Sequence, residues 1–180
     1  MLADEQHIFV YISPGKHGRI HREKYFAKGE PCKVAVSFGH DPLLIMSSSL
    51  ELPYGLTEYD YVGGIRGEPY EVVKAPYTGL PIPATSEIVM EGDILPDDLR
   101  MEGPFGEFTG YYASSARAEP VVKIKNILHR NDPIILGSMN HIPPCENSVF
   151  QGLMRSALMW DELESIGIPD IKGVWCEPAG

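Results

Sequence analysis

Pro120-Val121-Val122-Lys123-Ile124-Lys125-Asn126-Ile127-Leu128-His129 is the stretch whose reading decides the fold. Val122, Ile124 and Asn126 fall on one side of an extended chain, and Val121, Lys123, Lys125 and Ile127 on the other. A period of two with apolar residues on both sides predicts a strand partly covered on each face. The same texture runs upstream. His7-Ile8-Phe9-Val10-Tyr11-Ile12-Ser13 reads as a buried strand stopped by Pro14-Gly15, and residues 32–38 alternate and are β-branched. Residues 71–74 and 86–92 are strand-like, and the aromatic-rich residues 105–112 predict a strand after a tight turn. Sixteen prolines, from Pro14 to Pro178, and 18 glycines leave room only for short helices before residue 148. Three such helices are predicted: residues 20–28 ending at Gly29, residues 43–48 behind Asp41-Pro42, and residues 57–65 behind a Thr57/Asp60 capping pair.

The character changes after Pro143-Pro144. Ser148 and Gln151 form a capping-box pattern. Phe150, Leu153, Met154, Ala157 and Leu158 then follow helical spacing, and Gly167 ends the run. Residues 171–176 alternate as a final strand. The prediction is an α+β, mainly β chain with short helices and one long connecting helix. Its first part is strand-rich and is not a doubly wound parallel sheet.

Composition narrows the function. A chain of 180 residues that is 43% hydrophobic can bury a core. A net charge of -10 argues against a nucleic-acid partner, which a basic surface would have to neutralise. No apolar run is long enough for an integral membrane segment, and the polar start Leu2-Ala3-Asp4-Glu5-Gln6 is unlike a signal peptide. Cys32, Cys145 and Cys176 are odd in number and widely spaced, so the expected setting is a reducing, cytoplasmic one.

Several residues are candidates for chemistry. Glu102-Gly103-Pro104-Phe105-Gly106-Glu107 sets two carboxylates five residues apart across a glycine- and proline-forced turn. Two carboxyl groups folded into one pocket cannot both ionise easily, and one becomes a proton donor. The alternative is a pair of solvated loop acids. His17 and His21 are four apart, but Gly18 stands where a zinc-protease helix carries glutamate, so that motif fails. Lys16-His17-Gly18-Arg19 after a strand and a Pro-Gly turn fits either a phosphate cradle or an ordinary basic turn. Ser47-Ser48-Ser49 could line a pocket or finish a helix.

Taken together, these segments resemble the UbiD family of prenylated-FMN-dependent decarboxylases. The similarity lies in Ser13-Pro14-Gly15-Lys16-His17-Gly18-Arg19-Ile20-His21, in residues 52–61, in Pro83-Ala84-Thr85-Ser86-Glu87-Ile88-Val89-Met90-Glu91-Gly92 and, most specifically, in residues 102–112. They occur in the family's order and spacing, and the similarity runs from about residue 7 to residue 176. The resemblance implies a split β-barrel cofactor domain related to flavin reductases. It implies prenylated FMN with Mn2+ and possibly K+ as cofactors, and a flavin prenyltransferase as the cofactor's source. It implies an aromatic or α,β-unsaturated carboxylic acid as substrate. Glu107 matches the proton-donating carboxylate, and Glu102 its partner in a Glu–Arg–Glu network. Glu58 matches a metal ligand, and His17 the histidine near metal and phosphate. Lys16, Gly18, Ser48 and Ser49 fall in segments that surround cofactor or alkali cation.

The departures from the family carry expectations too. Family chains are more than twice this long. The segment with the family's Asn metal ligand and network Arg precedes the part matched here, and a second large domain follows it. The expected organisation is a partial cofactor domain over residues 1–143, with residues 144–180 as connecting helix and start of the next domain. The chain is then expected to be a fragment, a split-gene subunit or an incomplete reading frame, and inactive alone. The resemblance implies a homo-oligomer in the full-length family, or a partner subunit that supplies the missing segments. The rival reading is a non-catalytic subunit that binds flavin or serves assembly.

Overall fold

The computed structural model of the chain describes residues 2–12, 17–50, 52–104, 106, 110–112, 114–137 and 142–177. In chain order the elements are β1 (His7–Phe9), α1 (His17–Phe26), β2 (Cys32–Phe38), α2 (Pro42–Ser48), α3 (Glu58–Arg66), β3 (Val72–Lys74), β4 (Pro81–Pro83), β5 (Ile88–Glu102), β6 (Arg117–His129) and α4 (Glu146–Ser165). They divide between two compact units. One comprises Met1–Asp41, Pro69–Pro104 and Ser114–Leu136; the other comprises Pro42–Glu68, Phe105–Ala113 and Gly137–Gly180.

The first unit carries a four-stranded sheet in the order β1-β6-β5-β2 and the hairpin β3-β4. Every pairing among these strands is antiparallel, as the strand-rich reading requires. The sheet is open, with β1 and β2 at its edges. Side chains alternate across it, so Val34 and Ala35 serve opposite faces. Val34 joins the cluster built on Cys32, Ile94 and Val122, against which Tyr25 and Phe26 of α1 pack. Ala35 joins the cluster of Ala75, Ile82 and Val89 under the β3-β4 hairpin. A helix thus covers one face of the sheet and a hairpin the other. The β4 strand, with proline at both ends, had not been expected; it pairs only with β3, where missing N–H groups are tolerated.

The deciding stretch folds as a strand but not with unbroken alternation. Glu91 pairs with Asn126 and Gly92 with Ile124, so Lys125 is an extra residue in a β-bulge. The bulge turns Asn126 onto the hairpin-facing side, opposite Val122 and Ile124, correcting the expected grouping. Gly92 sits at this point because a Cβ there would run into the Lys123 carbonyl oxygen and lie 2.7 Å from Val122 Cγ1. A second register shift lies between Ile94 and Leu99, around Pro96.

Other elements move by a few residues. β1 is shorter than expected, although the Val10 N–H still donates to Pro120 O at 3.1 Å. α1 starts at His17 rather than near Ile20. The strand expected over residues 105–112 lies largely outside the described residues; within it, Gly106 and Tyr112 form an isolated antiparallel bridge.

In the second unit, α3 begins as predicted. Thr57 Oγ1 accepts from the Asp60 N–H at 3.2 Å, and the Asp60 carboxylate accepts from the Thr57 N–H at 3.0 Å. α4 starts earlier than expected, at Glu146, which places Ser148 in its first turn rather than before it. Ser148 Oγ instead accepts from the Cys145 N–H at 2.9 Å. The buried side of α4 is formed by Ser148, Gly152 and Ser156, while Val149, Phe150 and Leu153 face outward. The strand expected over residues 171–176 does not form: this segment is irregular, and the Cys176 N–H donates to Ser156 Oγ at 2.8 Å. With no strand alongside it, its alternation has nothing to pair with.

Candidate functional site

Three acids on β5 are buried: Glu91, Asp93 and Glu102. Glu91 and Asp93 are two apart and share the hairpin-facing side of the strand with Val89. Glu91 is 0% exposed and receives four donors. They are the Tyr77 N–H (3.1 Å), the Thr78 N–H (2.8 Å), the Thr78 hydroxyl (2.8 Å) and the Asn126 side-chain amide (2.7 Å). Burial alone would push this carboxyl up. The Thr78 N–H, the Asn126 amide, the Thr78 hydroxyl and the Tyr77 N–H outweigh that and hold it below its ordinary value. Asp93 ion-pairs with Lys33 at 2.8 Å and accepts the Tyr77 hydroxyl at 2.5 Å. Burial again opposes, yet Lys33 and then Tyr77 lower the Asp93 carboxyl, while the Asp93 and Tyr77 contacts raise the Lys33 ammonium. The Lys33 ammonium also lies 4.3 Å from the Tyr77 ring centroid. Two acids of one strand thereby clamp the turn after β3. The sequence reading passed over this cluster, although Glu91 and Asp93 alternating in step with Val89 was a signal that buried acids there needed partners.

Glu102 ends β5 and is 7% exposed. Its cross-strand partner is Arg117. The Arg117 guanidinium is engaged by Glu119 at 2.5 Å and lies 4.6 Å from the Tyr11 ring centroid, rather than pairing with Glu102. Glu107, the other half of the predicted acid pair, lies outside the described residues, as does Lys16.

The remaining predicted residues sit at helix ends. His17 is the half-buried first residue of α1, followed by Gly18, where a Cβ would approach Ile12 Cγ2 to 3.2 Å. Glu58 is the half-buried first residue of α3, where the helix dipole favours a carboxylate. His17 belongs to the first unit and Glu58 to the second. Ser48 and Ser49 close α2, donating to Ile45 O and Met46 O at 2.7 Å each. Their hydroxyl protons are committed to the helix end, the plainer of the two readings. Among the described residues no three His, Cys, Asp or Glu side chains come together as a metal site. A cavity of about 220 Å³ in the first unit is lined by Val73, Ile82, Val89, Leu128, Glu87 and Arg130 among others, and none of the predicted residues lines it.

Residues 1–143 match the family model described as UbiD, 3-octaprenyl-4-hydroxybenzoate carboxy-lyase Rift-related domain. The chain belongs to the UbiD family. It is 35% identical over 176 residues to the pyrrole-2-carboxylic acid decarboxylase of Pseudomonas aeruginosa, covering 98% of this chain and 35% of that one. It is 41% identical over 145 residues to the phenolic acid decarboxylase of Bacillus subtilis, covering 81% of this chain and 30% of that one. Its fold matches an evolved dimeric form of the UbiD-class enzyme HmfF from Pelotomaculum thermopropionicum, in complex with prFMN. That match has a TM-score of 0.85 at 28% identity over 99% of this chain and 40% of that one. The chain therefore spans between 30% and 40% of the length of these UbiD relatives. No helix among the described residues is long and apolar enough to cross a membrane.

Proposed function

We propose that this UbiD chain is the cofactor-binding and proton-donating portion of a prenylated-FMN-dependent decarboxylase acting on an aromatic or α,β-unsaturated carboxylic acid. The observation that carries this reading is Glu102, buried at the end of β5 and five residues before Glu107 in the Glu-Gly-Pro-Phe-Gly-Glu turn of a UbiD-family chain. Such a turn offers a carboxyl proton donor beside a carboxylate held out of water. Prenylated FMN, when bound, takes up the electron pair released by C–C cleavage, and the protein supplies position and a proton. In this reading Glu107 delivers that proton to the product carbon and Glu102 tunes it. Lys16, His17 and Gly18 hold the cofactor phosphate, with Ser48 and Ser49 beside cofactor or alkali cation. The open sheet would be part of a split barrel, residues 1–143 the cofactor domain, and residues 144–180 the link to the next. The setting would be cytoplasmic, with cofactor from a flavin prenyltransferase.

The metal fits less well. His17 and Glu58 provide one nitrogen and one oxygen donor, whereas Mn2+ wants about six. The donors at hand make only part of a site. Mn2+ is expected to bind this chain weakly in titration calorimetry, and Glu58→Ala should weaken it further. A tight stoichiometric site that survives Glu58→Ala would remove Glu58 from this role.

One observation favours the rival, a subunit without turnover of its own: Arg117, the cross-strand partner of Glu102, is turned to Glu119. The two readings part in one experiment. CO2 release is measured from a panel of aromatic and cinnamic-type acids with prenylated FMN and Mn2+. The chain is assayed alone and again with the remaining portion of a UbiD relative supplied. The expected result is no turnover alone and turnover on reassembly. Robust turnover by the chain alone would end the incomplete-enzyme reading. None after a complex has demonstrably formed would favour the rival.

A further inference from the structure

The cavity of about 220 Å³ lies between the β3-β4 hairpin and the sheet, at the opposite end of β5 from Glu102. At the ordinary rise of a strand, roughly 40 Å of chain separates Val89, in its wall, from Glu102. All its lining residues belong to the first unit. Ile82 and Val89 are buried, Leu128 packs against them, and half-exposed Val73 stands at the mouth. The lip is polar. Glu87 Oε1 lies 3.3 Å from Arg130 Nε, Glu87 Oε2 accepts the Ile134 N–H at 3.3 Å, and Arg130 Nε donates to Ser86 O at 3.3 Å. These contacts are longer than the roughly 2.9–3.0 Å usual for N–H···O, so both side chains keep capacity for a shorter bond.

We infer that this cavity binds a small uncharged ring carrying a hydroxyl or N–H group. An apolar cavity of roughly 150 Å³ is enough to take benzene, so the space here holds such a ring together with a short substituent. The lip selects the substituent. A hydroxyl donates to the Glu87 carboxylate and accepts from the terminal nitrogens of Arg130. A carboxylate has nothing to donate and sets its charge beside that of Glu87. Glu87 already offsets Arg130, so the pair offers no net positive charge in return. Loss of CO2 from an aromatic acid bearing such a group leaves a ring of this kind, with a proton where the carboxylate stood. Under the proposed function the cavity therefore takes the product class and refuses the acid. The binding itself does not rest on that reading.

The probes are phenol and benzoate, titrated into the chain at about pH 8, where the first is neutral and the second charged. Binding is followed by amide chemical shifts. Phenol should give saturable shifts at residues 82–89 and 128–130, with a Kd of about 1 mM. Benzoate should bind at least about tenfold more weakly, and Glu87→Gln, which removes the repelling charge, should bring the two within about threefold. Glu87 also holds the Ile134 N–H, so a second variant leaves it in place. Val73→Trp fills the mouth from an exposed position and should abolish the phenol shifts, while its circular dichroism matches the parent. Shifts that rise linearly to about 20 mM would overturn the inference, since a built site saturates below that. So would shifts centred elsewhere, benzoate binding as tightly as phenol, or phenol binding that Val73→Trp leaves intact. Saturable phenol binding by a reassembled enzyme that releases no CO2 would count against the proposed function and leave this site standing.

Discussion

In the reassembled enzyme, Glu107→Gln is expected to lower CO2 release by about 10²–10⁴-fold, the span that a positioned general acid contributes. The amide matches the carboxyl in shape and has no proton to give to the product carbon. Glu102→Gln is expected to cost less. β5 delivers Glu102 to a buried position at the start of the Gly103-Pro104 turn, and the proposed assignment has it act on Glu107 rather than on substrate. In this assignment Glu102 is a positioning residue, and its variant should shift the pH profile of turnover, whereas Glu107→Gln should lower the rate at every pH. Flavin binding, followed by fluorescence quenching, should survive both changes. A reassembled Glu107→Gln enzyme running at full rate would end the assignment. Equal losses in the two variants with an unmoved pH profile would remove the distinction between donor and tuner.

The parts of this arrangement that were legible in the sequence are those fixed by neighbours along the chain. Thr57 and Asp60 cap α3 three residues apart, and residues 32–38 alternate without interruption, so both elements appear where spacing puts them. Elements that depend on distant partners were not legible. Counting by twos through residues 120–129 cannot see Lys125 bulge out, because the bulge is set by where Gly92 meets Lys123 across the ladder. Helical spacing identifies the α4 stripe but cannot say which side meets the rest of the chain, and small residues took the inner side. Residues 171–176 alternate like a strand, but alternation without a partner strand makes no ladder. The Glu91 cluster escaped notice because its donors come from Tyr77, Thr78 and Asn126, which only the folded sheet brings to one carboxylate.

That cluster carries the largest expected effect on stability. Glu91→Gln is predicted to destabilise the fold by about 2–4 kcal/mol at neutral pH, the range for breaking a buried charge-assisted network. The carboxylate accepts from four groups and donates to none. Glutamine that keeps its oxygen on the Tyr77-Thr78 turn would present an NH2 where the second oxygen stood, setting it against the Asn126 side-chain amide and leaving that donor without its acceptor. The hairpin should loosen first, so amide exchange at residues 75–82 should quicken more than exchange in β2 or β6. The sign of the pH dependence follows from the depressed carboxyl. Its stabilisation is in place above the unfolded-state value of 4.5 and is lost as pH falls through the lower folded-state value. Asp93, also depressed, contributes with the same sign. The raised Lys33 acts at the other end: its contribution is complete below 10.5 and is lost as pH rises through the higher folded-state value. Urea denaturation of parent and variant should therefore show a gap that is widest near neutrality and narrows under acid, where the parent's Glu91 takes up its own proton. A gap below about 0.5 kcal/mol at neutral pH, the size of an ordinary surface change, would show that the turn does not depend on Glu91. A gap that widened on acidification would show that the clamp does not depend on the charged carboxylate.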